Sequence, residues 1–220
     1  MSKKSMNKEI LKRCICTFFC YNDSMLNAYY EKHKVTSTLI LINVMMGIVV
    51  MTTGGFTVPN LISWGALNPY YVRVVGDWYR IVTSMMLHAS LFHLLMNMYV
   101  LYYIGGFMER ILGPVKYTIM YVVSGIVASL LVVFVGNVNA VTVGASGSIF
   151  GIMGGLFLMT FVKSSWLNPQ TIRSIRFLTG LNLVFTFLIP SISLEGHVGG
   201  LIAGIALFYL LIDKEPYQRY

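Results

Sequence analysis

The chain has 220 residues, of which 56% are hydrophobic and only 11% are charged, and its mean hydropathy is +0.71. Soluble domains carry roughly 25% charged residues, so this composition excludes a soluble globular protein and indicates a membrane protein. The net charge of +8 would suit a nucleic-acid-binding protein, but the basic residues are distributed as membrane topology requires, and no nucleic-acid partner is expected.

Residues 1–35 are polar and basic, and they contain no long apolar core that would indicate a cleavable signal peptide. They are too few to form a hydrophobic core, so we expect a short cytoplasmic segment. Cys14, Cys16 and Cys20 form a C-x-C-x₃-C cluster there without a second Cys/His pair. We interpret them as reduced thiols on an interfacial stretch, with metal binding or lipidation as the alternative.

Six apolar stretches follow, and they reach or approach the length of about 20 residues that a helix needs to cross a membrane. They cover residues 36–52, 90–108, 116–136, 144–162, 177–190 and 197–212. The fifth is the shortest. The sequence therefore predicts an all-α, polytopic membrane domain of six transmembrane helices over residues 36–212, followed by a short cytoplasmic tail over residues 213–220.

The positions of Lys and Arg predict the orientation of these spans. Fourteen of the sixteen basic residues lie before the first span, in the second and fourth connections, and in the C-terminal tail; Arg73 and Arg80 lie in the first connection. Because basic residues accumulate in cytoplasmic loops, we expect both termini in the cytoplasm and the first, third and fifth connections outside. The basic side is expected to attract anionic membrane lipid.

The first outward connection, residues 53–87, is long and unusually aromatic for a loop in water. Trp and Tyr favour the boundary between membrane and water, so we expect this loop to lie partly in the outer interface. Its aromatic residues are Phe56, Trp64, Tyr70, Tyr71, Trp78 and Tyr79.

Four polar side chains fall in the outer leaflet when the spans take this orientation. His93 and Asn97 lie early in the second span, Ser146 early in the fourth, and His197 at the start of the sixth. Each has a simpler interpretation alone: an i, i+4 pair can bridge helices, a serine among glycines can mark close helix packing, and a histidine can bond a carbonyl. These separate interpretations do not explain why four polar groups from three helices lie together in the outer leaflet.

Together these groups supply the parts of an acyl-transfer site. A serine hydroxyl is a weak nucleophile until a base accepts its proton, which His197 can do near neutral pH. The backbone N–H groups at the head of the fourth span, with Asn97 and His93, can bind the oxyanion. Glu195 lies two residues from His197 and would point elsewhere on a helix, so the sequence predicts a Ser146–His197 dyad without an acidic third member.

Two further features of the fourth and sixth spans support this arrangement. Phe150 lies four residues after Ser146 and can stack on the imidazole to hold its orientation; the alternative is that it faces lipid. Small residues at helical spacing would let the two spans approach closely enough for a Ser–His hydrogen bond. These residues are Gly147, Gly151, Gly200 and Gly204.

These motifs resemble those of the rhomboid family of intramembrane serine proteases, over most of residues 36–212. The resemblance is carried by HLLMN at residues 93–97, GASG at 144–147 and HVGG at 197–200. The WYR sequence at residues 78–80 and the GGFMER sequence at 105–110 are also similar to the family. The absence of an evident seventh helix or large soluble domain resembles the compact six-helix bacterial type.

The resemblance implies six core helices and a water-filled cavity that opens outward. It implies Ser146 as nucleophile, His197 as base, and an oxyanion hole formed by His93, Asn97 and the Ser146 N–H. His88 matches a supporting position near the cavity, and the glycines around the two catalytic residues, Gly144, Gly147 and Gly200, are also supporting. The implied substrate is a single-span membrane protein cut near the outer leaflet at small residues, in the bacterial plasma membrane, with no cofactor and no metal.

Two other functions remain open at the level of the sequence. A non-catalytic rhomboid-like protein would bind transmembrane segments without cutting them. A small transporter would use His93, Asn97 and Ser146 to line a polar path, although the spans carry no carboxylate suited to that role and no internal repeat is apparent. For the protease, the short fifth span suggests a lateral gate for substrate.

Overall fold

The computed structural model describes residues 28–212, and this part of the chain is a bundle of helices. The predicted all-α membrane fold is confirmed. The cysteine cluster at residues 14–20 and the tail at 213–220 lie outside the described residues. The α-helices are α1 (Lys34–Thr53), α2 (Val58–Ser63), α3 (Arg80–Thr83), α4 (Leu91–Val100), α5 (Gly106–Val135), α6 (Ser146–Val162), α7 (Pro169–Leu188) and α8 (Leu194–Leu211).

Helices α4 and α5 are joined by a π-helical turn, Leu101–Gly105. This turn does not interrupt the helix. The break between the predicted second and third spans lies inside α5, at Gly113, where φ is +76° and ψ is 165°. This left-handed φ favours glycine, and Pro114 follows it, so the chain reverses there. By length and hydropathy alone, three helical segments of the described residues are long and apolar enough to cross a membrane, namely Lys34–Thr53, Leu91–Val135 and Leu194–Leu211.

The helix that contains the fifth apolar stretch begins before residue 177, where that stretch begins. Helix α7 begins at Pro169, because Asn168 caps it by accepting a hydrogen bond from the Thr171 N–H at 2.8 Å, and proline suits the first helical position. Arg176 lies inside the helix, where its guanidinium donates to the hydroxyl and carbonyl oxygens of Thr160 at 3.0 and 3.1 Å. With 20 residues, α7 is not short, so its length gives no support to a gate.

A buried carboxylate holds the start of α1 against the second span. Glu109 accepts hydrogen bonds from the backbone N–H groups of Val35 and Thr36, both at 2.9 Å, and from the Thr36 hydroxyl at 2.7 Å. A carboxylate at a helix N-terminus satisfies N–H groups that have no partner within the helix. The GGFMER motif therefore fixes α1 to the bundle.

Helix α6 is the centre of the bundle and packs on both α5 and α8. Its contact with α8 is backbone to backbone: a Cβ built on Gly200 would overlap the carbonyl oxygen of Gly147, and one built on Gly204 would overlap that of Gly151. The predicted close approach of the fourth and sixth spans is therefore present in the structure. Only glycine at these positions allows the two helices to lie this close.

We expect Gly204→Ala to lower the free energy of unfolding by about 3 kcal/mol, the upper end of the usual range for overpacking, because the new methyl group meets rigid backbone. Thermal unfolding of the detergent-solubilised protein checks this. The control is Gly180→Ala in α7, where a Cβ meets no atom within 4 Å. Equal melting temperatures for the two variants would contradict the packing argument.

Candidate active site

Ser146 is the first residue of α6, and the glycine two residues before it sets its surroundings. Gly144 has φ of +133°, and a Cβ there would lie 2.9 Å from Cε1 and 3.1 Å from Nε2 of His93, and 3.5 Å from the Ser146 Oγ. A side chain at this position would both strain the backbone and displace the histidine ring. Gly144 therefore allows the His93 ring to lie beside the serine.

The head of α6 presents backbone N–H groups next to the Ser146 hydroxyl. The first intrahelical hydrogen bond runs from the Ile149 N–H to the Ala145 carbonyl at 3.0 Å. The N–H groups of Ser146 and Gly147 precede that bond, and such groups have no partner within a helix. They form a site at which a developing negative charge can be bound.

Two side chains of α4 carry further N–H donors. The Nδ1 atom of His93 accepts a long hydrogen bond, 3.4 Å, from the Ala89 N–H, which leaves its Nε2 to carry the proton when the ring is neutral. Asn97 is buried and uses one amide N–H to bond the His93 carbonyl at 3.0 Å. Its second amide N–H stays available for another acceptor.

His88 packs against the His93 ring. It is buried in the segment before α4, and the two imidazoles meet edge to face with their centroids 5.1 Å apart. Burial, with a smaller effect from His93, lowers the pKa of His88 to about 3. His88 is therefore neutral at physiological pH and acts here as a packing group.

His197 lies in the first turn of α8, opposite the head of α6. Ser193 caps this helix by accepting from the Gly196 N–H at 3.1 Å, and the His197 N–H bonds the Ser193 carbonyl at 3.1 Å. Phe150 of α6 stacks on the imidazole, with ring centroids 3.9 Å apart and planes 20° apart. Phe150 is 4% exposed, so it faces the histidine and not lipid.

Ser146 and His197 line the same small cavity, together with Gly144, Gly147 and Ser193. Its volume of about 30 Å³ is enough for at least one water molecule. Within residues 28–212, the structure contains no hydrogen bond between the serine hydroxyl and the imidazole. Catalytic hydrogen bonds often tighten only when substrate is bound, so a serine and a histidine that line one cavity can still act as nucleophile and base.

The sequence analysis missed one polar partner of the imidazole. The hydroxyl of Thr186, in α7, lies 2.8 Å from the His197 Nδ1 atom, and both side chains are buried. Thr179 and Thr186 are the two buried residues of α7. Their spacing of seven places them on one helical face, but this spacing does not show which residue of another helix Thr186 contacts.

The first loop is held to the bundle by one buried arginine. Arg80 pairs with the Asp77 carboxylate at 2.9 Å and donates to the carbonyls of Ile62 and Ala66 at 2.8 and 3.1 Å. Its guanidinium also lies over the ring of Tyr71, 4.6 Å from the centroid. The loop also contacts the segment that precedes α6, where Leu67 and Thr142 form an isolated antiparallel β-bridge. Trp78 and Tyr79 are about half exposed, as an interfacial loop requires.

The residues described in the structure contain no cluster of three or more His, Cys, Asp or Glu side chains suited to a metal ion.

Comparison with known proteins decides the family. The model of the rhomboid domain matches residues 75–214, a segment that contains every residue of the site. The chain belongs to the rhomboid family. It is 30% identical to the rhomboid protein YdcA of Bacillus subtilis over 145 residues, which are 66% of this chain and 72% of that protein.

Other rhomboid relatives differ in length and in activity. The chain is 30% identical to the rhomboid protease GluP of Bacillus subtilis over 181 residues, which are 80% of this chain but 35% of GluP. It is also 33% identical, over 162 residues, to inactive RHOMBOID-like protein 8 of Arabidopsis thaliana, covering 72% of this chain and 44% of that protein. Membership of the rhomboid family therefore does not by itself establish proteolysis.

We expect Arg80→Leu to destabilise the rhomboid fold by about 3 kcal/mol, because it leaves the Asp77 carboxylate and two carbonyls without their partner. Arg73→Leu, at an exposed arginine of the same loop, removes the same charge and side-chain type and should change stability by less than about 0.5 kcal/mol. Thermal unfolding of both variants measures these changes. Similar losses of stability in the two variants would show that the loss of a positive charge, and not the specific contacts of Arg80, is the cause.

Proposed function

We propose that this chain is an intramembrane serine endopeptidase in which Ser146 is the nucleophile and His197 the general base. The observation that carries the proposal is that both residues line one small cavity, with the imidazole stacked on Phe150. A serine at the head of a helix, beside free N–H groups, has both a base and an oxyanion site within reach.

In the proposed acylation step, Nε2 of His197 accepts the proton of the Ser146 hydroxyl while Oγ bonds to the carbonyl carbon of the substrate. The carbonyl π electrons move to oxygen. The His93 Nε2–H, the free amide N–H of Asn97 and the Ser146 backbone N–H stabilise the resulting oxyanion. Collapse of the intermediate breaks the C–N bond, and the imidazolium returns its proton to the leaving amine.

Hydrolysis of the acyl-enzyme then requires one water molecule. His197 accepts a proton from that water, whose oxygen bonds to the acyl carbon, and the same proton returns to Ser146 when the ester C–O bond breaks. The cavity beside Ser146, with room for water, supports this step. No metal or cofactor has a part in this scheme.

The proposed substrates are single-span membrane proteins with small residues at the scissile bond. Support comes from the size of the cavity and from its lining beside the serine, which includes Gly144, Gly147 and Ala128. The proposed site of action is the outer leaflet of a bacterial plasma membrane.

The proposed topology and organisation follow from the charge pattern. Both termini lie in the cytoplasm. Fourteen of the sixteen Lys and Arg residues lie in the two terminal segments and in the second and fourth connections, and basic residues accumulate on the cytoplasmic side of a membrane. Residues 1–35 form a basic cytoplasmic segment, 36–212 the protease domain, and 213–220 a cytoplasmic tail.

We expect purified wild-type protein to cleave a model single-span substrate in proteoliposomes, and Ser146→Ala and His197→Ala to reduce kcat by at least about 10³-fold each. Ser164→Ala, at the other end of α6, is the matched serine control and should retain activity. Cleavage that persists in Ser146→Ala would reject this nucleophile. A wild type that binds the substrate without cutting it would instead support the non-catalytic rhomboid.

We expect Asn97→Ala to lower kcat by about 10²-fold with a smaller effect on KM, since an oxyanion donor acts mainly in the transition state. The measurement is steady-state cleavage in proteoliposomes, with Asn139→Ala, at an exposed loop asparagine, as the control amide. A rise in KM without a fall in kcat would assign Asn97 to substrate binding.

A further inference from the structure

We propose that Thr186 is a positioning residue that fixes the tautomer and orientation of the His197 imidazole. The proposal rests on the assignment of His197 as the general base. Thr186 belongs to α7 and His197 to α8, so the base is held by a helix that contributes neither the nucleophile nor the oxyanion donors.

The hydrogen bonds of the threonine hydroxyl define its role. Its single proton is donated to the carbonyl of Asn182, one turn earlier in α7, at 2.8 Å. A hydroxyl has one proton and two acceptor positions. With the proton used in this way, the Thr186 oxygen acts toward the His197 Nδ1 atom, 2.8 Å away, as an acceptor.

An acceptor at this position selects one form of the neutral imidazole. Nδ1 must carry the proton, so Nε2 carries the lone pair. That is the form required of a base that takes a proton from Ser146 through Nε2. The opposite tautomer would place two lone pairs against each other at Nδ1, and its protonated Nε2 would be unable to accept the serine proton.

The same contact also stabilises the imidazolium that forms when the serine proton is taken. The bond from Nδ1–H to the Thr186 oxygen becomes charge-assisted in that state. The Asn182 carbonyl polarises the hydroxyl in the favourable direction, because consecutive hydrogen bonds in a chain strengthen one another. Thr186 thus takes over part of what a carboxylate does in a catalytic triad.

Phe150 and Thr186 restrict different motions of the ring. The Phe150 ring stacks on the face of the imidazole, with a 3.9 Å centroid distance, and so limits tilting out of the plane. The Thr186 oxygen meets the edge of the ring at Nδ1 and limits rotation within the plane. Neither contact alone gives the imidazole one orientation.

The test compares three variants of the full-length protein in proteoliposomes. Thr186→Val removes the oxygen and keeps the shape, and we expect kcat to fall about tenfold with KM unchanged, as the loss of one hydrogen bond implies. Thr186→Ser restores the oxygen, and we expect activity within about twofold of wild type. Thr179→Val, at the other buried threonine of α7, should retain wild-type activity.

A second readout reports on the serine without any substrate helix. We expect the rate at which a fluorophosphonate probe labels Ser146 to fall by the same factor in Thr186→Val and to recover in Thr186→Ser. Thr186→Ala removes the same oxygen and leaves a smaller side chain. If Thr186→Val melts below the assay temperature, Thr186→Ala is used in its place in both measurements.

The outcomes separate this proposal from the proposed function. Full activity in folded Thr186→Val, with Ser146→Ala inactive, overturns the role of Thr186 and leaves the dyad intact. Equal loss in Thr186→Ser and Thr186→Val also overturns it, because the oxygen would not be the cause. Activity that persists in Ser146→Ala rejects the dyad itself, whatever the Thr186 variants do.

Discussion

The backbone contact between α6 and α8 is the constraint on which the rest of the site depends. Gly200 and Gly204 lie against the carbonyl oxygens of Gly147 and Gly151, so the two helices cannot move closer, and any side chain would force them apart. Ser146 begins one of these helices, and His197 lies in the first turn of the other. The register of the glycines therefore determines the separation of the serine from the imidazole.

Much of this arrangement could be predicted from the sequence because its causes are local. The apolar stretches and the i, i+4 spacing of Phe150 from Ser146 depend on the chain itself. The start of α7 could not be found in this way, since Arg173 and Arg176 lower the hydropathy of its first turns. Arg176 is satisfied by Thr160 on a neighbouring helix, and that partner is visible only in three dimensions.

The contact of Thr186 with His197 was missed for the same reason. The two residues are eleven apart in sequence, and a turn over residues 189–193 separates their helices, so no helical periodicity relates them. A threonine in an apolar helix is also common, because its hydroxyl can bond the carbonyl one turn earlier. Only the packing of α7 against α8 shows that this hydroxyl has a second partner.

The membrane explains why a hydroxyl is a suitable partner for the base at this position. Apart from Thr179 and Thr186, the side chains of α7 are partly or fully exposed at the bundle surface, where lipid surrounds a membrane protein. An ionised carboxylate there would carry a large desolvation cost whenever the histidine was neutral. The Thr186 hydroxyl carries no charge, and its proton is already satisfied by the Asn182 carbonyl. It can therefore orient the imidazole at little cost to the stability of the helix, and in the proposed reaction the charge appears only on the imidazole.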